Sequence, residues 1–317
     1  MSEAHPIIAI TGSAGAGTTT VREAFTDIFR REGLCAAFVD GDSFLRYERA
    51  DMHRAIETAN REGRPISHFG PEVNRFDLLE TCFRQYAETG QAEVRDYLRE
   101  DRAAEFGCEP GSFGAPRLLP ENSDLLVYEG LHGGVVANSW TRRHMSASHN
   151  PVVVERRQLN KQNGIDVAQY VDFLIGVVPV VNLEWIQKIH RDMQTKGIPA
   201  EETTTTILRR LQDYIHFMTP QFSLTDINIQ RVPLVDTSNP FISRDVPSPS
   251  ESMLVCRFRE PKQYDFPNML KRFAGAFMSR SNTLVIPGGK LRMALEVICT
   301  PRILELIRTA RDQSKTT

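Results

Sequence analysis

The sequence predicts an α/β fold, a largely parallel sheet flanked by helices, and three observations carry that prediction. An apolar run, Ile7-Ile8-Ala9-Ile10-Thr11, leads into a glycine-rich stretch and then into residues 18–31, where Val21, Phe25, Ile28 and Phe29 recur at helical spacing. Short β-branched runs alternate with helical patterns along the chain, the signature of parallel strands wrapped by helices. With 317 residues, 41% hydrophobic and 25% charged, the chain is long enough to bury the core of such a sheet as a single domain, 1–317.

The strand candidates are residues 7–11, 36–40, 125–128, 174–178 and 231–236. A later pair, 253–259 and 283–287, lies beyond Pro247-Ser248-Pro249-Ser250, so residues 247–317 are expected to extend the same sheet. Residues 139–164 are polar and aperiodic, and 139–168 is expected to be a loop insertion.

The stretch that joins the first strand to the first helix, Gly12-Ser13-Ala14-Gly15-Ala16-Gly17-Thr18-Thr19-Thr20, has the spacing of a phosphate-binding loop except that Thr18 stands where lysine is usual. Glycines let successive N–H groups point inward, and the helix start adds its positive dipole, so backbone alone can hold a polyphosphate. Thr19 is placed to face Mg²⁺. The absent lysine removes a point charge from the outer phosphates, and another cation must supply it. A turn that merely joins strand to helix is the plainer alternative, and the full spacing argues against it.

In open α/β sheets ligands sit beyond the carboxyl ends of the strands. Asp40-Gly41-Asp42 follows the second strand and Glu129-Gly130 follows the third. Glu129 has the natural position for Mg²⁺, and Asp42 is the candidate base for an acceptor hydroxyl. An Asx-turn or helix cap is the competing role for Asp42. A helical pattern over residues 182–192 brings Lys188, Arg191 and Asp192 to one side, and either cation could replace the missing lysine. Arg209 and Arg210 end a second helical run as candidate lid residues. Arg46, Arg49, Arg54, Arg61 and Arg64 follow Asp42, suited to an acceptor that already carries phosphate, with some of them ordinary surface charge.

Composition excludes several classes. A formal net charge of −2 gives no footprint for nucleic acid, and the apolar run 173–181, broken by Gly176 and Pro179, is too short to span a membrane. The five cysteines form no Cys-x-x-Cys pair and the histidines no metal-ligand spacing. No secretory pattern opens the chain, so the expected location is the cytoplasm.

Several specific blocks resemble the bacterial phosphoribulokinases nearly end to end. They include His5-Pro6-Ile7-Ile8, the lysine-free loop through Thr20, Gly41-Asp42-x-Phe44, Arg49-Ala50-Asp51-Met52, Tyr128-Glu129-Gly130-Leu131-His132-Gly133, the Asn182 to Asp192 helix, Pro220-Gln221-Phe222-Ser223 and Met278-Ser279-Arg280. The resemblance implies a P-loop kinase fold and ATP- and Mg²⁺-dependent phosphorylation of the C1 hydroxyl of D-ribulose 5-phosphate, a Calvin-cycle reaction. It implies Asp42 as base, Glu129 and Asp192 serving metal and catalysis, and Arg49, Lys188 and Arg191 serving substrate and phosphate. It further implies an octamer activated by NADH and inhibited by AMP, with Arg257 and Arg280 in the allosteric network. No cysteine lies within residues 13–18, so thiol control of the loop is not expected.

Where the family commonly reads Asp-x-Phe-His-Arg, this chain has Asp42-Ser43-Phe44-Leu45-Arg46, and leucine cannot hydrogen-bond a sugar phosphate. Ser67 to Asn74 is similar to the phosphoribulokinase-like proteins of bacteria that do not fix carbon. Two alternatives therefore stand beside the first reading: a related kinase for another sugar phosphate or nucleoside, and an ATP-sensing protein that transfers nothing.

Overall fold

Ten strands and eight α-helices are seen among the described residues of the computed structural model, which are 5–13, 17–64, 66–135, 165–242 and 245–314. The main sheet has eight strands in the order β2-β5-β1-β6-β7-β8-β10-β9. Its parallel part comprises β1 (Ile7–Thr11), β2 (Ala36–Asp40), β5 (Leu125–Gly130), β6 (Phe173–Pro179) and β7 (Ile227–Pro233). The C-terminal strands β8 (Ser252–Phe258), β9 (Phe277–Arg280) and β10 (Thr283–Pro287) add on antiparallel, extending the sheet as expected.

Alternation along each strand divides the core in two. Ile8, Ile10, Val127, Ile175 and Ile229 face α1 (Thr18–Glu32) and α8 (Leu291–Ser314), meeting Val21, Phe25, Ile28, Leu295, Ile298 and Ile303. Ile7, Ala9, Val39, Tyr128 and Leu174 face the other way, onto Phe76, Leu79, Phe83 and Tyr86 of α3 (Phe76–Thr89). Of the remaining helices, α2 (Arg49–Arg61) and α4 (Glu100–Phe106) belong to the N-terminal half. Helices α5 (Val181–Lys196), α6 (Ala200–Asp213) and α7 (Phe266–Arg272) follow β6 and the extension. A π-helical turn, Tyr214–Met218, continues α6.

Two differences from the sequence reading have clear causes. Strand β7 begins four residues before residue 231 and ends before 236, because Ile227 and Ile229 bury into the core in register with Ile175 and Val177, while Asp236 turns the chain by accepting from Ser238 N–H at 2.8 Å. A separate ribbon of β3 (Glu93–Leu98) and β4 (Ser112–Leu118) has no counterpart among the strand candidates. Only Val94 and Leu98 of β3 are buried, and every other position carries polar or part-exposed groups, so no apolar run marks it. Most of the segment expected to loop out, 139–164, lies outside the described residues. At its end Val167 is fully buried, and its N–H bonds Val135 O at 2.9 Å.

Candidate active site

The glycine loop begins where β1 meets β5. Gly12 N–H bonds Gly130 O at 3.2 Å, and Thr11 Oγ1 donates to Leu131 O at 3.0 Å. Ala14, Gly15 and Ala16 lie outside the described residues. Beyond them Gly17, at φ 98°, precedes α1, whose first turn contains Thr18, Thr19 and Thr20, no acid and no side-chain cap. Its N–H groups and positive dipole are thus left for an anion. Glu184 of α5 packs behind the loop. Burial pushes its carboxyl above the ordinary range, and the Ser13 and Tyr214 hydroxyls oppose that rise, with Tyr214 Oη donating to Glu184 Oε2 at 3.2 Å.

Acids gather at the ends of β2 and β5. Asp40 caps a single 3₁₀ turn, Gly41–Phe44, by accepting from Asp42 N–H at 2.9 Å, so the capping role weighed for Asp42 falls to its neighbour. The Asp42 carboxylate instead accepts from Arg99 Nη2 at 2.7 Å, and the same nitrogen reaches Asp40 at 3.3 Å. Glu129 stands opposite Asp40 in register, and Arg22 lies 3.7 Å from Glu129 and 3.9 Å from Asp40. Burial raises the Asp42 carboxyl above its ordinary value and Asp40 adds to this, while Arg99 pulls the other way. A raised carboxyl beside an arginine suits a group that must take up a proton. The spacing of the cluster is set by a backbone contact: a Cβ on Gly41 would meet Gly130 Cα at 2.9 Å, and one on Gly130 would meet Gly41 Cα at 2.7 Å.

Next to these acids opens a cleft of about 620 Å³ in which Arg49, Lys188, Asp192, Arg209 and Arg210 come together. His53, His68 and Lys196 add to its basic character, and Leu45 supplies part of an apolar wall. Burial drives His68 down to about 4, with Arg210 and Lys188 adding to the effect, so its imidazole is neutral at pH 7. Asp192 is almost fully buried and pairs with Lys188, with Lys196 at 3.4 Å and with Arg191 at 3.7 Å. Burial alone would raise its carboxyl, but these cations outweigh burial and hold it below the ordinary value. Lys188 is drawn down by burial while Asp192 opposes.

The cleft separates the arginines that follow Asp42. Arg49 lines it, whereas Arg46 donates to Glu72 O at 3.1 Å and Arg54 and Arg64 pair with Asp51 and Glu62. Glu129 and Asp192, both expected to serve the metal, have separate ion-pair partners. Arg257 and Arg280 lie in the C-terminal extension, each opposite Thr283 in register, and Arg257 donates to Phe222 O at 3.0 Å. Sequence reasoning passed over Arg22, His53, His68, Arg99 and Lys196. For Arg99 the available signal is a basic residue directly after the buried Leu98 at a strand end.

The donors present fit Mg²⁺ and a nucleotide. Carboxylate oxygens are the hard ligands that Mg²⁺ takes, usually few at a time, with water and substrate phosphates completing the shell. An uncapped helix start after a glycine loop is the matching phosphate cradle. A glycine loop before an uncapped helix start, a carboxylate gripped by arginine and a basic cleft beside it are parts that phosphoryl transfer uses, and on this sheet they fit a P-loop phosphotransferase.

Comparison with known proteins narrows the class. The chain belongs to the Phosphoribulokinase / Uridine kinase family, whose model matches residues 7–238. It is 51% identical over 309 residues to the chromosomal phosphoribulokinase of Cupriavidus necator, covering 97% of each chain. It is 49% identical to a phosphoribulokinase of Nitrobacter vulgaris over 97% of this chain and 98% of the relative. The solved structure of a phosphoribulokinase from Rhodobacter spheroides superposes with a TM-score of 0.83 at 45% identity, over 98% of this chain and all of the other.

Proposed function

We propose that this protein transfers the terminal phosphoryl group of ATP to the C1 hydroxyl of D-ribulose 5-phosphate, releasing ADP and ribulose 1,5-bisphosphate. The observation that supports the reading is Asp42, a carboxylate raised by burial and held by Arg99 a few residues before Leu45 and Arg49, which line a cleft rich in arginine and lysine. Full-length similarity to proteins named phosphoribulokinase supports the choice of acceptor.

In this mechanism the loop from Gly12 to Thr20 and the start of α1 hold the nucleotide phosphates. Arg49, Arg209 and Arg210 bind the acceptor's phosphate, and their forked donors suit its oxygens. Asp42 takes the C1 hydroxyl proton as that oxygen bonds to the γ-phosphorus and the bond from this phosphorus to the β–γ bridging oxygen breaks. Lys188 and Arg191 bring the positive charge that Thr18 lacks. Thr19, Glu129 and Asp192 would hold Mg²⁺, whose contribution when bound is to neutralise charge on the phosphates.

The decisive measurement is ADP release from ATP with phosphorylated and free pentoses and nucleosides offered in turn. Turnover is expected with ribulose 5-phosphate and is expected to fall about a hundredfold to ten-thousandfold on Asp42→Asn. Turnover indifferent to that sugar would sink the reading. Leu45 in the cleft wall favours a second reading, a related kinase with another acceptor, which the same panel separates. ATP binding with no ADP from any acceptor would revive a sensing role.

Control by NADH and AMP through Arg257 and Arg280, a homo-octamer and a cytoplasmic site complete the proposal. Among the described residues no helix is long and apolar enough to cross a membrane. Repeating the assay with NADH for the parent and for Arg257→Ala, beside sedimentation of the full chain, tests the first two.

A further inference from the structure

Building on that phosphotransfer reading, we infer that Arg99 is a positioning residue: it grips Asp42 by one carboxylate oxygen and so aims the other at the acceptor hydroxyl. Arg99 Nη2 donates to Asp42 Oδ2 at 2.7 Å and to Asp40 Oδ2 at 3.3 Å, while Asp42 N–H bonds Asp40 Oδ1 at 2.9 Å. Asp42 is thus held twice, at its backbone by Asp40 and at its side chain by an arginine that straddles both aspartates. Both contacts of Arg99 end on Oδ2 atoms, which leaves Oδ1 of Asp42 for an incoming hydroxyl.

Stability does not explain the arrangement. The Arg99 side chain is 57% exposed while that of Asp42 is half-buried, and an ion pair with one partner so open to water contributes little to folding. Yet an entire ribbon delivers Arg99 to this spot. Leu98, just before it, is buried, and its carbonyl accepts from Gly111 N–H at 2.6 Å. Gly111 O in turn accepts from Arg49 N–H at 2.9 Å, and Glu100, just after Arg99, pairs with the Arg49 guanidinium at 2.9 Å. One ribbon end therefore sets both the base and a cleft arginine. Arg22 serves the far side of the acid cluster, on Asp40 and Glu129.

The test is a double-mutant cycle with Asp42. Arg99→Ala and Arg99→Lys are made in the parent chain and in Asp42→Asn, and kcat, the KM of ribulose 5-phosphate and the thermal melt are measured for each. Misaiming a reacting group can cost about a hundredfold, so Arg99→Ala is expected to lower kcat by about that factor with KM within about threefold. Arg99→Lys should recover about tenfold of the loss, and in Asp42→Asn the change Arg99→Ala should alter the residual rate by less than about threefold. If Arg99→Ala does not fold, Arg99→Gln, nearer in volume, carries the same comparison. A raised KM with kcat intact would make Arg99 a substrate ligand and overturn the inference. Equal losses with and without the Asp42 carboxylate would overturn it as well. Full turnover in Asp42→Asn alone would instead remove the reading of Asp42 as base, a failure distinct from the other two.

Discussion

Two aspartates separated by a single glycine do different work. Asp40 ties its carboxylate to the Asp42 N–H and starts the 3₁₀ turn, and that tie frees Asp42 to face Arg99. An asparagine in place of Asp40 could still accept the same bond, whereas alanine could not. Asp40→Ala should therefore cost about 1 kcal/mol by urea denaturation and Asp40→Asn clearly less, a ranking that fails if the cap is unimportant. At Leu45, 8% exposed and packed on Met52 and Val73, a histidine would place a donor in the cleft wall. One added hydrogen bond contributes about 0.5–1.5 kcal/mol, so Leu45→His is expected to lower the KM for ribulose 5-phosphate about twofold to tenfold. An unchanged KM would mean that the sugar phosphate does not reach residue 45.

At the scale of elements, the ribbon of β3 and β4 is held more by charge and rings than by apolar burial. Asp96 takes Arg117 at 2.8 Å and Arg102 at 3.1 Å, and Arg95 lies 3.5 Å over the Phe113 ring. Arg117 holds the Asp96 carboxyl below its ordinary value of 3.8. The resulting stabilisation is complete above that value and is lost as pH falls through the lower folded value. Asp96→Asn should thus destabilise by roughly 0.5–1 kcal/mol at pH 7, and the difference between the urea melts of the two proteins should begin to shrink below about pH 4 and vanish only at lower pH. Gly111, at φ +90°, sits so near Arg49 that an added Cβ would lie 2.5 Å from Arg49 Cβ. Gly111→Ala is expected to cost about 1–3 kcal/mol and to raise the acceptor KM, measured by denaturation and steady-state kinetics. This same element marks the limit of what the sequence discloses. The central strands are legible because both faces are buried, so Ile7 to Ile10 and Leu125 to Tyr128 read as unbroken apolar runs. The ribbon has no such run, and its turn residues and alternating charges resemble a surface loop. Asp42, Arg49, Lys188, Arg209 and Arg210 could be picked out because they follow strands or share a helix face. Arg99 offered only its place after Leu98 in a strand that the sequence did not mark, and its role depends on a contact across 57 residues of chain.

For the molecule as a whole, the C-terminal extension is part of the core rather than an appendage. Strand β8 pairs along the full length of β7, and α8 shares the face of α1 through Leu295, Ile298 and Ile303, with Arg31 and Glu296 joined at 3.1 Å. A chain ending at residue 246 would bare Ile227, Ile229 and Phe25 to water, and it is expected to lose the cooperative thermal transition of the full chain by circular dichroism. A sharp melt of that fragment would show instead that the N-terminal part folds alone. The touching backbones of Gly41 and Gly130 fix the acid side of the site. Aspartate and glutamate are carried on two strands locked at glycine-to-glycine distance, where no side chain can be inserted, so the reaction's acid spacing cannot drift as the sequence diverges. Leu45 and Arg49 line the cleft beyond this contact, so the residues that meet an acceptor could change in descendants of this chain while the spacing of the acids stayed the same.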